Sequence, residues 1–374
     1  MAMMNGRSMG EGDKMSVGQV KHRFIQAVQS KKVDRAINLA LLKFNQFHAL
    51  VLAIDNNLAV LADALVTLGW DVNEVRFMDG STPLHAAVTV GNLQLINKLI
   101  ENGAIVGKRD ASGNTPLGKF LKTRHVRFDN GIFRVLVSCM TKAEIISKNE
   151  HGETLLHNAA KNRFVPITIF ETLMDIGIDV RAWDDFTGRN FIMDMMIFYT
   201  DELLVKRVWE KAFTVGIDVN DRDNFGCTVL HRIASEERSS LLDWVADRKD
   251  IEIRVRNDNN QTPMWLACKR GNIGMVRVLY KMGETFHNSA YSRWSGGQSP
   301  FDIASTNGHV ELALTLKHQA KDRQVNGLRE VRSLKESAKI AIREGLAERG
   351  TNIWPGVQQL GLPRQLVSYL VELC

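Results

Sequence analysis

Histidine and cysteine are the residue types in this 374-residue chain best suited to hold a metal or to attack a substrate. His85, His157 and His231 are the first set to weigh, because each stands three residues after a threonine (Thr82, Thr154 and Thr228). A position that recurs in the same local setting belongs to one unit of a repeat. The three imidazoles are therefore expected about one repeat apart, too far to share an ion, and are expected to be structural. Cys227 and His231 are four residues apart, but Cys227 falls in the turn before a helix start, which speaks against a nucleophile–base pair. Cys139, Cys227, Cys268 and Cys374 are not within metal-ligand spacing of one another. The chain contains no HExxH, no GxSxG and no glycine-rich phosphate loop. Asp110, Asp184 and Asp223 stand at turn positions, where a carboxylate suits the backbone geometry. The expectation is a protein with no active site, no metal and no cofactor, and not an enzyme.

Composition points the same way. Hydrophobic residues make up 44% of the chain and charged residues 24%, with 48 lysines and arginines against 42 acidic residues and a formal charge of +6. No basic run dominates, so nucleic acid is not the expected partner. No stretch approaches the roughly 18 apolar residues of a membrane span, and the opening MAMMNGRSMGEGDKM lacks the apolar core of a signal peptide. Reduced thiols in the cytoplasm, or the nucleus, are the expectation.

The elements that would position these residues repeat. Thr82, Thr115, Thr154, Thr228, Thr262 and Ser299 occupy one slot, with Asn190 in a more divergent unit, and Thr115 follows Thr82 by 33 residues. Pro83, Pro116, Pro263 and Pro300 follow the slot directly. Threonine or serine caps a helix N-terminus, and proline at the first helical position gives up an N–H that has no intrahelical partner. Gly91, Gly271 and Gly308 fall between paired helices, and Gly103, Gly177, Gly216 and Gly283 fall at the ends of second helices. Before the first clear unit, Phe24, Ile25, Val28, Val33, Ile37, Ala40 and Leu41 predict one helical hairpin, and residues 47–73 predict a second. A period in the mid-thirties with two helices per unit predicts an all-α solenoid.

The string TPLHAA, then Gly, LI and GA, resembles the ankyrin repeat. Seven recognisable units and two degenerate N-terminal ones are expected over residues 18–320, behind a disordered tail at 1–17. In that family the slot histidine makes structural hydrogen bonds. Two insertions, 118–130 and 287–298, break the period. Tyr291, Arg293 and Trp294 in the second are residue types that anchor interfaces and are candidate substrate contacts.

After a polar linker at 321–332 the chain closes with SLKESAKIAIREGLAERGTNIWPGVQQLGLPRQLVSYLVELC. Leu334, Ala338, Ile342 and Leu346 fall on one face of a helix, with charged residues between them. The segment 333–374 resembles a SOCS box. Ser333, Leu334, Ile342 and Arg343 match its elongin-binding half, with Ala338 where that family usually has cysteine. Leu360, Leu362, Pro363, Leu366, Tyr369 and Leu370 match its cullin-binding half, from which Gly361 departs. The resemblance covers about an eighth of the chain.

The combined resemblance, to ankyrin-repeat and SOCS-box proteins, implies a substrate-recognition adaptor of a cullin–RING ubiquitin ligase. The array would hold a protein substrate of unknown identity. Leu334, Ala338 and Ile342 would hold elongin B and elongin C, and Leu360 to Leu370 a cullin, cullin-5 by expectation, with its RING protein. The alternatives are an ankyrin scaffold with no ligase role, whose last helices cap the array, and a pathogen ankyrin effector with an F-box-like tail.

Overall fold

A computed structural model describes residues 17–40, 49–124, 128–199, 201–236, 240–284, 300–309, 311–314 and 316. Its named elements are helices, and the described residues add one isolated antiparallel bridge between Trp183 and Asn190. In chain order they are α1 (Val17–Gln29), α2 (Val33–Ala40), α3 (Ala49–Asp55), α4 (Ala59–Thr67), α5 (Pro83–Val90), α6 (Leu93–Glu101), α7 (Pro116–Lys122), α8 (Asn130–Cys139), α9 (Lys142–Ile146), α10 (Leu155–Ala160), α11 (Ile167–Ile176), α12 (Phe191–Phe198), α13 (Glu202–Val215), α14 (Val229–Ser235), α15 (Ser240–Asp247), α16 (Pro263–Arg270), α17 (Ile273–Lys281) and α18 (Pro300–Thr306).

The helices pair and stack in two layers. α3, α5, α7, α10, α12, α14, α16 and α18 form an inner row, each packed on the next. α2, α4, α6 and α8, then α11, α13, α15 and α17, lie behind them. One buried apolar core, from Val20 to Leu316, runs through the described stack. A single pair could not bury its apolar stripe, so the core exists only through stacking.

The expected caps are in place. Thr82, Thr115 and Thr262 accept hydrogen bonds from the third N–H of the helices they precede, with Pro83, Pro116 and Pro263 at the first helical positions. Asn190 does the same for α12. Ser299 lies outside the described residues. Gly91 and Gly271 end α5 and α16 in the left-handed region, at φ 78° and 74°, as a tight turn between paired helices requires.

In the first hairpin Phe24, Val28 and Ala40 are buried as expected, Val33 and Ile37 pack half-buried against the core, and Ala36 and Leu39 are buried with them, while Leu41 lies outside the described residues. The small Ala36 and Ala40, four apart, permit the close approach that larger side chains would prevent. The enlarged unit contains α7, α8 and the added α9. Residues 123–129 link α7 to α8, with Phe128 packed on Phe120 at 4.9 Å between ring centroids. A further helix, α9, follows α8 and is capped by Thr141 and Glu144 in a reciprocal pair.

Candidate protein-binding face of the array

The units that contain α5, α7, α10, α12, α14 and α16 each open with a hairpin, and aspartate or asparagine shapes its turn. Asp110 Oδ1 accepts from the N–H groups of Ser112 and Asn114, both at 2.9 Å. Asp184 Oδ1 accepts from Phe186 and Thr187, and Asp223 Oδ1 from Phe225 and Cys227. The turn role read for these acids is the role they have. Successive tips are joined by backbone bonds. The N–H of Ala111 donates to Asp79, Glu150 to Ser112, Asp185 to His151, Asn224 to Thr187 and Asp258 to Phe225.

Two tips are one residue longer than the rest. Hairpins close with N–H to carbonyl bonds from Asp110 to Asn114, Asn149 to Glu153, Asp223 to Cys227 and Asn257 to Gln261, each spanning four residues. Those from Arg76 to Ser81 and from Asp184 to Arg189 span five. The longer tips carry Phe77, 95% exposed, Met78, 90%, and Phe186, 87%. Phe225 and Trp183 are also exposed. Large apolar side chains held outward on ordered turns are the composition of a protein-binding face.

The histidines sit at the base of the hairpins. His157 Nδ1 accepts from the N–H of Thr154 at 3.2 Å, and its Nε2 lies 3.1 Å from the carbonyl oxygen of Arg189 in the next unit. Because Nδ1 accepts, the ring proton is on Nε2, which donates. His85 joins Thr82 to the carbonyl of Asn114 in the same way, and His231 joins Thr228 to that of Gln261. Burial pulls His157 and His231 down to about 4 and lowers His85. Both nitrogens of His231 are engaged, so it does not pair with Cys227, whose sulfur accepts from Asn257 Nδ2 at 3.5 Å. Burial raises that thiol above its ordinary value. Among the described residues no cluster of His, Cys, Asp or Glu could hold a metal. None of the described helices is long and apolar enough to cross a membrane.

The groove between hairpins and inner helices holds ion pairs that sequence reading missed. Lys119 lies 3.7 Å from Asp110, and Lys122 lies 3.5 Å from Glu153. Lys161 pairs with Glu153 and lies 3.5 Å from Asp194. Arg189 and Arg232 lie 3.7 and 2.8 Å from Asp223. Burial pushes the Asp194 carboxyl up to about 6 against the pull of Lys161 and Arg189. These pairs join residues 8 to 34 apart in the chain, and the longer ones cross from one unit to the next; the recurrence of lysine seven residues after the capping slot, at Lys122, Lys161 and Lys269, is the trace they leave in the sequence.

Tyr291, Arg293 and Trp294 lie outside the described residues, as do Leu334, Ala338, Ile342, Leu360, Leu362, Pro363, Leu366, Tyr369 and Leu370. The described residues offer a face built from tips and groove.

Comparison with known proteins fixes the repeat class. The family model described as "Ankyrin repeats (3 copies)" matches residues 199–290 and 230–326, and the single "Ankyrin repeat" matches 79–111. The chain carries ankyrin repeats. It is 26% identical over 243 residues to human Rabankyrin-5, covering 62% of this chain and 17% of that protein. It is 24% identical over 255 residues to the human transient receptor potential cation channel subfamily A member 1, covering 66% and 21%. It is 23% identical over 274 residues to the E3 ubiquitin-protein ligase KEG of Arabidopsis thaliana, covering 63% and 17%. The chain spans about a fifth of the length of these relatives. Ankyrin repeats point to protein–protein interaction as the role of the array.

Proposed function

We propose that the chain is a substrate-recognition adaptor of an elongin B/C–cullin–RING ubiquitin ligase, with no catalysis of its own. The observation that carries the reading is the order of two motifs in residues 333–374. Leu334, Ala338 and Ile342 fall at helical spacing on one face, and Leu360, Leu362, Pro363, Leu366, Tyr369 and Leu370 follow in the register of a cullin-binding segment. The family models that match are those of ankyrin repeats, so the reading rests on these residues alone. The array would hold a protein substrate on its tips and groove, and the box would dock elongin B, elongin C and cullin-5. Bringing the substrate's lysines beside the ubiquitin-loaded enzyme raises their effective concentration, and that is the whole of the adaptor's contribution. Cytoplasmic or nuclear placement follows from these partners.

Leu334 would be the anchor of the elongin contact. Truncating a buried leucine costs about 2–5 kcal/mol in a core, and interface anchors behave similarly. Leu334→Asp should abolish co-purification of elongin B and C while the array keeps its helical content. Unchanged elongin capture by that variant rules out the box assignment, and no elongin capture by the wild-type chain leaves a plain ankyrin scaffold.

A further inference from the structure

From Lys119 to Arg232 the ion pairs of the groove share an order: the carboxylate is the more buried partner and the cation the more exposed. At the start of the array the order reverses, since Arg76 is more buried than the Asp55 and Asp79 it pairs with. The Lys122 side chain is 42% exposed over Glu153 at 6%, and Arg232 is 25% exposed over Asp223 at 0%. Lys119 over Asp110, Lys161 over Glu153 and Asp194, and Arg189 over Asp223 follow the same order. The outer layer shows no such rule. Asp63 and Asp175 are more exposed than the Lys98 and Lys211 they pair with, while Arg207 is more exposed than Glu171. The groove is therefore a layer of oriented dipoles, negative behind and positive in front, running over consecutive units from Lys119 to Arg232.

We infer that this groove binds an extended acidic segment of a partner protein, with one carboxylate set against each unit. The inference deepens the adaptor reading and rests on it only for calling that partner a substrate. Charge complementarity selects the sign. Spacing selects the form: packed helices lie about 8–10 Å apart, and an extended chain rises about 3.3 Å per residue, so a carboxylate at every third residue matches successive inner helices. A carboxylate can take a charge-assisted hydrogen bond from an ammonium or guanidinium that already has an acid behind it.

The test uses the full chain and a fluorescent peptide of Glu-Gly-Ser repeats. Its Gln-Gly-Ser counterpart, an oligothymidylate of similar length and the Lys119→Gln/Lys122→Gln variant complete the set. Asp110 keeps its two turn N–H bonds in that variant and Glu153 keeps Lys161, so the array should fold, and Lys122→Gln alone is the fallback. The expected result is salt-sensitive binding of the glutamate peptide, none of the glutamine peptide, and about tenfold weaker binding by the double variant, the size of two exposed ion pairs. Lys211→Gln, on the outer layer, should change nothing. Equal binding of the two peptides, indifference to the groove substitutions, or oligothymidylate binding with the same dependence on Lys119 and Lys122 overturns the inference. Elongin capture measured on the same preparations reports on the ligase reading separately. Its loss with peptide binding intact leaves the groove assignment standing.

Discussion

His157 Nε2 donates to the carbonyl oxygen of Arg189, 32 residues further along the chain and one unit away. One imidazole thus closes its own helix start through Thr154 and fastens the next hairpin. Replacing it by an apolar residue of similar volume leaves a buried N–H and a buried carbonyl without partners, at about 1–3 kcal/mol each. His157→Leu should lower stability by that order, read as a shift in the urea midpoint.

The same residue sets an acid dependence. Its folded pKa of about 4 lies below the ordinary 6.5, so its stabilisation is complete above 6.5 and is lost as pH falls toward 4. At pH 5 the loss is about 2 kcal/mol for a group this buried. Wild-type protein should lose more stability between pH 7.5 and 5 than His157→Leu does, and equal losses would show that the ring is not held neutral.

Asp194 acts in the opposite sense. Its folded pKa of about 6 lies above the ordinary 3.8, so the folded state carries a penalty above pH 6 that is relieved as pH falls through that value. Asp194→Asn should leave stability unchanged or raise it at pH 7.5, with the gain shrinking at pH 5. A clear loss at pH 7.5 would mean that Lys161 gives Asp194 more than burial takes away.

Two glycines with similar backbones should respond differently to alanine. Gly103 and Gly113 have φ of 89° and 74°, but a Cβ on Gly103 meets nothing within 4 Å, whereas on Gly113 it would sit 2.6 Å from the Glu150 nitrogen. Gly103→Ala should cost about 1–2 kcal/mol for the left-handed backbone. Gly113→Ala should cost roughly twice that, because the next hairpin must also move. Equal melting shifts would argue against close contact between the tips.

Phe77→Ser and Phe186→Ser should change stability by no more than about 0.5 kcal/mol, as exposed substitutions do, and should weaken capture of a bound protein. Thermal melts beside pull-downs from labelled lysate check both halves. Unaltered capture by the double variant would move the binding face away from the tips.

Local chemistry wrote most of this fold plainly. A threonine or asparagine followed by a helix start caps it wherever it occurs, so the slots at Thr82, Thr115, Thr154, Asn190, Thr228 and Thr262 could be read one at a time. In the N-terminal hairpin Phe24, Val28 and Ala40 are legible as core, whereas Ala36 is not, because hydrophobicity does not report that packing favours a small residue. The long tip at Phe186 goes with the divergent unit at Asn190, whereas the one at Phe77 precedes the clearest unit and leaves no sign in the motif. The groove pairs between units leave only the recurring lysine, since Lys161 and Asp194 lie on different units and meet only after stacking.

The amides that join one hairpin tip to the next, from Asp79 through to Asp258, form a seam along one edge of the array. Bonds in series do not stretch, while side chains packed between helices can slide. The array should therefore flex as a strip with one inextensible edge. Changes in curvature would open or close the outer layer and leave the tip spacing nearly constant. A partner that spans several tips would meet the same ruler whether the array is relaxed or bent.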